Sequence, residues 1–134
     1  MKNAGNMTPD AASLLPPRIL VVDDERQIHA SVRLRLGSAF KLVCCLDARE
    51  ALEKIAQTRF DLCLVDIHMP NMDGLTFIDA AQQVDSGLGY VVLSAFDTHE
   101  NLRRAIPLHV YDFVSKPLPE RAGFEARVPG WIER

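Results

Sequence analysis

The chain has 134 residues, 48% of them hydrophobic and 25% charged, a composition that suits one globular domain with a core of its own. The formal net charge is −3, and the 15 Lys and Arg residues are scattered rather than gathered into a patch that could hold a phosphate backbone, which argues against direct nucleic-acid binding. No apolar run approaches the roughly 18 residues of a membrane helix, and residues 1–17 lack the apolar core of a secretion signal, so a cytoplasmic protein without a membrane partner is expected.

Residues 1–17 carry Asn, Gly, Thr and Ser and close on Pro16-Pro17, which reads as a flexible arm, with folding beginning at Arg18. Short apolar runs then alternate with segments of helical period. Ile19 to Val22 is the first strand candidate, and Ile28, Val32 and Leu36 recur at i, i+4 and i+8 as the stripe of a first helix. Leu42 to Leu46 is the second strand, followed by a helix carrying Leu52, Ile55 and Ala56, with Asp47 and Glu50 at its start. Leu62 to Val65 is the third strand, and Leu75, Ile78 and Ala81 follow Asp73-Gly74 as the third helix. Tyr90 to Leu93 is the fourth strand; Thr98 heads a helix with Leu102, Ala105 and Ile106, which Pro107 should shorten or kink. Val110 to Val114 is the fifth strand, and a last helix after Pro119 is limited by Gly123 and Pro129-Gly130 to about two or three turns.

Unbroken apolar strands joined by helices imply parallel strands buried on both faces, with right-handed crossovers placing helices on each side. The expected fold is a doubly wound α/β sheet of five strands. Cys44, Cys45 and Cys63 fit neither a disulfide framework nor a zinc spacing, because adjacent thiols in a strand point to opposite faces; they read as reduced packing residues. His29, His99 and His109 show no ligand spacing and read as surface or partly buried structural residues.

Four of the five strand candidates run into polar groups at their carboxyl ends: Asp23 and Asp24, Asp66, Ser94 and Lys116. In a parallel sheet those ends share one edge, where open α/β folds bind ligands. Taken singly, Asp23-Asp24-Glu25 equally describes the acidic start of a helix, Ser94 a cap and Lys116 a solvated side chain. Their joint placement favours a site. Three carboxylates packed together repel one another unless a cation sits among them, and hard oxygen donors suit magnesium or manganese rather than zinc. An aspartate there can attack phosphorus to give an acyl phosphate if metal and lysine neutralise the charge of the transferring oxygens, and Asp66 and Lys116 suit those roles.

Val21-Val22-Asp23-Asp24-Glu25, the run from Asp66 to Gly74, Ser94-Ala95 and Phe113-Val114-Ser115-Lys116-Pro117 together resemble the response-regulator receiver family of two-component signalling, over about residues 18 to 118. The resemblance implies a flavodoxin-like sheet of order 2-1-3-4-5. It implies Asp66 as phospho-acceptor, Asp24 and Asp66 as direct magnesium ligands (manganese also suits), Asp23 acting largely through water, and the His68 backbone carbonyl as a further ligand. Lys116 would pair with a phosphoryl oxygen across a cis Lys116-Pro117 bond, Ser94 would be the switch hydroxyl, and Phe113 the aromatic whose rotamer reports the switch. His68 and Phe96 would influence how easily water reaches the acyl phosphate.

The domain plan that follows is an arm over 1–17, a receiver domain over 18–128, and a tail over 129–134 that is either a terminus or the start of a linker to an output domain. The protein is expected to be a signalling phosphoprotein rather than a turnover enzyme, supporting its own magnesium-dependent phosphorylation and dephosphorylation. Expected partners are a sensor histidine kinase or histidine phosphotransfer protein, an output domain or effector, and a second copy in a homodimer. His109-Val110 stands where the family commonly has Gly-Ala, and the short last helix weakens the usual dimer face. A pseudo-receiver, binding partners without phosphorylation, is the alternative. A metal-dependent hydrolase ranks last, since no lid or second catalytic acid is evident.

Overall fold

A computed structural model of the protein describes residues 15–95 and 98–133, so most of the expected arm, together with Phe96, lies outside the described residues. Five parallel strands, β1 (Arg18–Val22), β2 (Lys41–Cys45), β3 (Leu62–Asp66), β4 (Tyr90–Ser94) and β5 (Asp112–Ser115), form one sheet in the order β2-β1-β3-β4-β5. The connecting helices are α1 (Arg26–Leu36), α2 (Ala48–Gln57), α3 (Gly74–Val84) and α4 (His99–Ala105), and α5 (Arg121–Ile132) follows β5; a 3-10 turn, Ile106–Leu108, follows α4. Fold class and strand order are those expected.

Strand alternation divides the core into two layers. Leu20, Val22, Cys45, Cys63, Val65, Tyr90 and Val92 face α2 and α3, while Ile19, Val21, Leu62, Leu64, Val91, Leu93 and Val114 face α1 and α5. Both faces are apolar because both are covered, and each fully buried Val, Leu or Ile contributes about 1.5–3 kcal/mol. Cys44 and Cys45 take opposite faces and all three thiols are free.

The caps at Asp47, Asp73 and Thr98 form: each side chain accepts a backbone N–H of the first turn, from Arg49, Thr76 and Asn101 respectively. α4 is short, and Pro107 lies in the 3-10 turn that ends it, as its fixed φ and missing N–H require. His109 then takes the left-handed conformation, φ 57° and ψ 41°, a position that glycine occupies at lower cost.

Four helical expectations need correction. On α1 the buried face is His29, Val32 and Leu36, with Ile28 only half-buried, so His29 is a structural residue, as expected, but sits deeper than a surface or partly buried one. On α2, Ala48 and Ala51 join Ile55 in the core and Ala56 is exposed. On α4, Leu102 and Ile106 face outward and Asn101 and Ala105 inward, because the helix lies at the edge of the sheet. The expected stop at Pro129-Gly130 does not occur, and residue 129 falls inside α5. Phe124, Val128 and Trp131, at i, i+4 and i+7, bury against the sheet and carry the helix through the proline. Edge-to-face packing of Phe124 on Trp131 at 6.0 Å and Arg127 over the indole at 5.3 Å add to that hold.

Candidate functional site

The carboxyl edge of the sheet gathers the polar groups. β1 delivers Asp23 and Asp24, β3 ends on Asp66, β4 ends on Ser94, and Lys116 follows β5. Register explains the convergence: Val22 pairs with Val65, Asp66 with Leu93, and Ser94 with Ser115, so the next residue of each strand reaches the same edge.

One oxygen from each of Asp23, Asp24 and Asp66 lies within 4.8 Å of the others. Asp23 and Asp66 are buried and Asp24 is exposed, which leaves one side open to solvent. Lys116 reaches into the cluster, its Nζ 2.9 Å from Asp23 Oδ2, 3.2 Å from Asp66 Oδ1 and 3.3 Å from Glu25 Oε1. The Lys116-Pro117 peptide bond is cis, as the resemblance implies.

Burial raises the proton affinity of Asp66 above that of an ordinary carboxyl, and the charge of Asp23 adds to the effect; Lys116 opposes both without cancelling them. Burial works to lower the Lys116 ammonium, but its pairing with Asp23 and Asp66 outweighs that and holds it above the usual lysine range. Asp66 is therefore an unusually basic carboxylate beside a firmly held cation.

The donor set fits a hard divalent cation. Asp23 Oδ1 accepts the Glu25 N–H at 2.9 Å, while its fully buried Oδ2 is ion-paired to Lys116 at 2.9 Å and is otherwise without a hydrogen-bond partner. A buried carboxylate oxygen left without a hydrogen bond is costly, and a cation coordinated by oxygens would satisfy it.

Ser94 is fully buried at the end of β4, and its carbonyl accepts the Lys116 N–H at 2.8 Å. Phe113 is half-buried and packs on the α2–α3 layer of the core. His68, two residues past Asp66, has an exposed side chain. The structure thus brings together Asp23, Asp24, Asp66 and Lys116, places Ser94 on the adjoining strand end, and sets Phe113 deeper, opposite Val92.

Three neighbours have roles at the site that the sequence reading did not assign. Glu25, read there as a helix start, makes no side-chain cap and contacts Lys116 instead. His29 has a ring nitrogen 2.7 Å from the Asp23 carbonyl oxygen, and its spacing to Val32 and Leu36 could have marked it as inward-facing. Gly74 is demanded by proximity: its N–H donates to the Ile67 carbonyl at 2.8 Å, and a Cβ there would collide with the Asp66 carbonyl oxygen. Asn71, in the same loop, takes a positive φ of 73°, a conformation that asparagine tolerates better than most residues.

The family profile described as response regulator receiver domain matches residues 19–126. The chain is 34% identical over 120 residues to the transcriptional regulatory protein PrrA of Mycobacterium leprae, covering 88% of this chain and 51% of that protein. To the response regulator MprA of Mycolicibacterium vanbaalenii it is 34% identical over 104 residues, covering 77% and 45%. The chain therefore spans about half the length of these curated relatives. Among solved structures, it resembles the signal receiver domain of an HD domain-containing protein from Pseudomonas fluorescens, at 25% identity and a TM-score of 0.82 over 89% of this chain and 96% of that one. A CheY-like receiver domain from Methanospirillum hungatei has the same fold at 21% identity, with a TM-score of 0.81 over 89% and 95%. Among the described residues, no helix is long and apolar enough to cross a membrane.

Proposed function

The chain belongs to the response-regulator receiver family of two-component signalling, and on that footing we propose that it is a phospho-acceptor switch whose acceptor is Asp66. The observation that carries this reading is Asp66 Oδ1 held 3.2 Å from Lys116 Nζ beside Asp23 and Asp24. Family membership speaks for a signalling domain rather than a turnover enzyme. The donor is a histidine kinase or a histidine phosphotransfer protein.

In the proposed step a carboxylate oxygen of Asp66 attacks phosphorus. The O–P bond forms, the donor's N–P bond breaks, and the released imidazole nitrogen keeps the electron pair and takes up a proton. Lys116, whose Nζ lies 3.2 Å from Asp66 Oδ1, offers its ammonium to the phosphoryl oxygens. Asp23, Asp24 and Asp66, with the His68 carbonyl, would hold Mg2+ or Mn2+, which supplies positive charge to the transferring group.

Once phosphorylated, Asp66 carries roughly −1.5 to −2 charges, and the Ser94 hydroxyl turns toward them while Phe113 moves inward from its half-buried position. The outcome is read at α4 and β5, where Leu102 and Ile106 are exposed. The proposed domain plan is an arm over 1–17, a receiver domain over 18–128 and a tail or linker start over 129–134, with a cytoplasmic output domain or effector as the target.

Intact-mass spectrometry with a small-molecule phosphodonor tests this. A single phosphoryl adduct that requires magnesium and is absent from Asp66→Asn is expected. No adduct, with magnesium binding verified, would replace this reading with the pseudo-receiver.

A further inference from the structure

Glu25 is the N-terminal flanking residue of α1, where an acidic side chain ordinarily turns back to the helix amides. Here it makes no cap bond; its Oε1 lies 3.3 Å from Lys116 Nζ, across 91 positions of sequence. Its backbone is fixed for this by Asp23, whose Oδ1 accepts the Glu25 N–H at 2.9 Å. Asp23, Glu25 and Lys116 thus close a ring in which Asp23 both contacts the ammonium and aims the second carboxylate at it.

The three donors of Lys116 face three carboxylates of unequal standing. Asp23 and Asp66 are buried and belong to the acidic cluster, whereas the Glu25 side chain is 57% exposed and stands outside it. A cation entering among Asp23, Asp24 and Asp66 competes with the ammonium for the same charge. Resting on the magnesium-dependent site proposed above, we infer that Glu25 is a positioning residue for Lys116, a seat outside the metal ligands that keeps the ammonium at the edge of the site when the metal takes Asp23 and Asp66. Without that seat, Lys116 leans wholly on the two aspartates and opposes the metal more strongly.

Magnesium affinity is measured by calorimetry on the unphosphorylated chain for the wild type, Glu25→Gln, Lys116→Met and the double variant, at about 0.15 M salt to damp long-range charge effects. Glu25→Gln is expected to weaken magnesium binding about two- to fivefold, the range an exposed ion pair supports. Lys116→Met is expected to tighten it, and in that background Glu25→Gln changes nothing. An equal loss in both backgrounds overturns the positioning role, because Glu25 would then act by charge alone; so does no loss in either. A wild type that binds no magnesium overturns this inference together with the site reading beneath it, whereas tight wild-type binding with additive effects overturns only the inference.

Discussion

Asp66 and Lys116 stand 50 positions apart in the chain and 3.2 Å apart in space, Oδ1 to Nζ. The pair joins the end of β3 to the residue after β5 across the intervening β4, so the charge balance of the site depends on the register of three strands. Lys116 compensates the acidic cluster only in part, since Asp66 still binds its proton more tightly than an ordinary carboxyl does.

That imbalance makes the acceptor a stability liability when divalent cations are removed. Burial first, and Asp23 second, raise Asp66 above its ordinary value of 3.8, so the folded state holds this proton more tightly than the unfolded chain. Its favourable contribution is fully present below 3.8 and is lost as pH rises through the raised folded value. Asp66→Asn is therefore expected to be more stable than the wild type at neutral pH in EDTA, on the order of 1 kcal/mol. The advantage should shrink as pH falls toward 3.8. Urea midpoints across that range check it, and a variant less stable at neutral pH would mean that the lost pairing with Lys116 matters more.

Gly74→Ala should damage the site without touching a charged group. The added methyl meets the Asp66 carbonyl oxygen and the Ile67 Cα, so the loop carrying the acceptor must shift. A loss of about 1–3 kcal/mol is expected, as for overpacking generally, together with slower adduct formation at Asp66. Denaturant unfolding and the time course of the adduct measure the two effects separately.

The three thiols should differ sharply in reactivity. Burial pushes Cys45 up to about 12, and full burial raises Cys63 well above its usual range. Burial also works against ionising Cys44, but the neighbouring His29 ring, with Arg33, outweighs it and leaves this half-buried thiol below its usual value. Alkylation by iodoacetamide near neutral pH, followed by peptide mass mapping, should label Cys44 first and about tenfold or more faster than the others. Equal rates would mean that access rather than thiolate character governs the reaction.

Much of this was legible in the chain itself. Apolar runs of strand length alternating with helical period fix a parallel sheet covered on both faces, because strands with no polar alternation must be buried on both sides. Asp47, Asp73 and Thr98 marked their helix starts because capping is local chemistry, settled within a few residues. Asp23, Asp24, Asp66, Ser94 and Lys116 were legible as strand-end residues, since a parallel sheet carries every strand end to one edge.

What the tertiary structure alone decided are the partners and faces that depend on packing between distant segments. Periodicity marks an apolar stripe, but the neighbouring layer determines which stripe is covered: at the sheet edge Leu102 and Ile106 remain exposed, while on α1 a histidine takes the inward place. Pro129 reads locally as a stop, yet burial of Phe124, Val128 and Trp131 against the sheet carries α5 past it. Glu25 reads locally as a helix start, and only the strand order sets Lys116 beside it, because an ion pair spanning 91 positions is created by the fold and leaves no periodic trace in the chain.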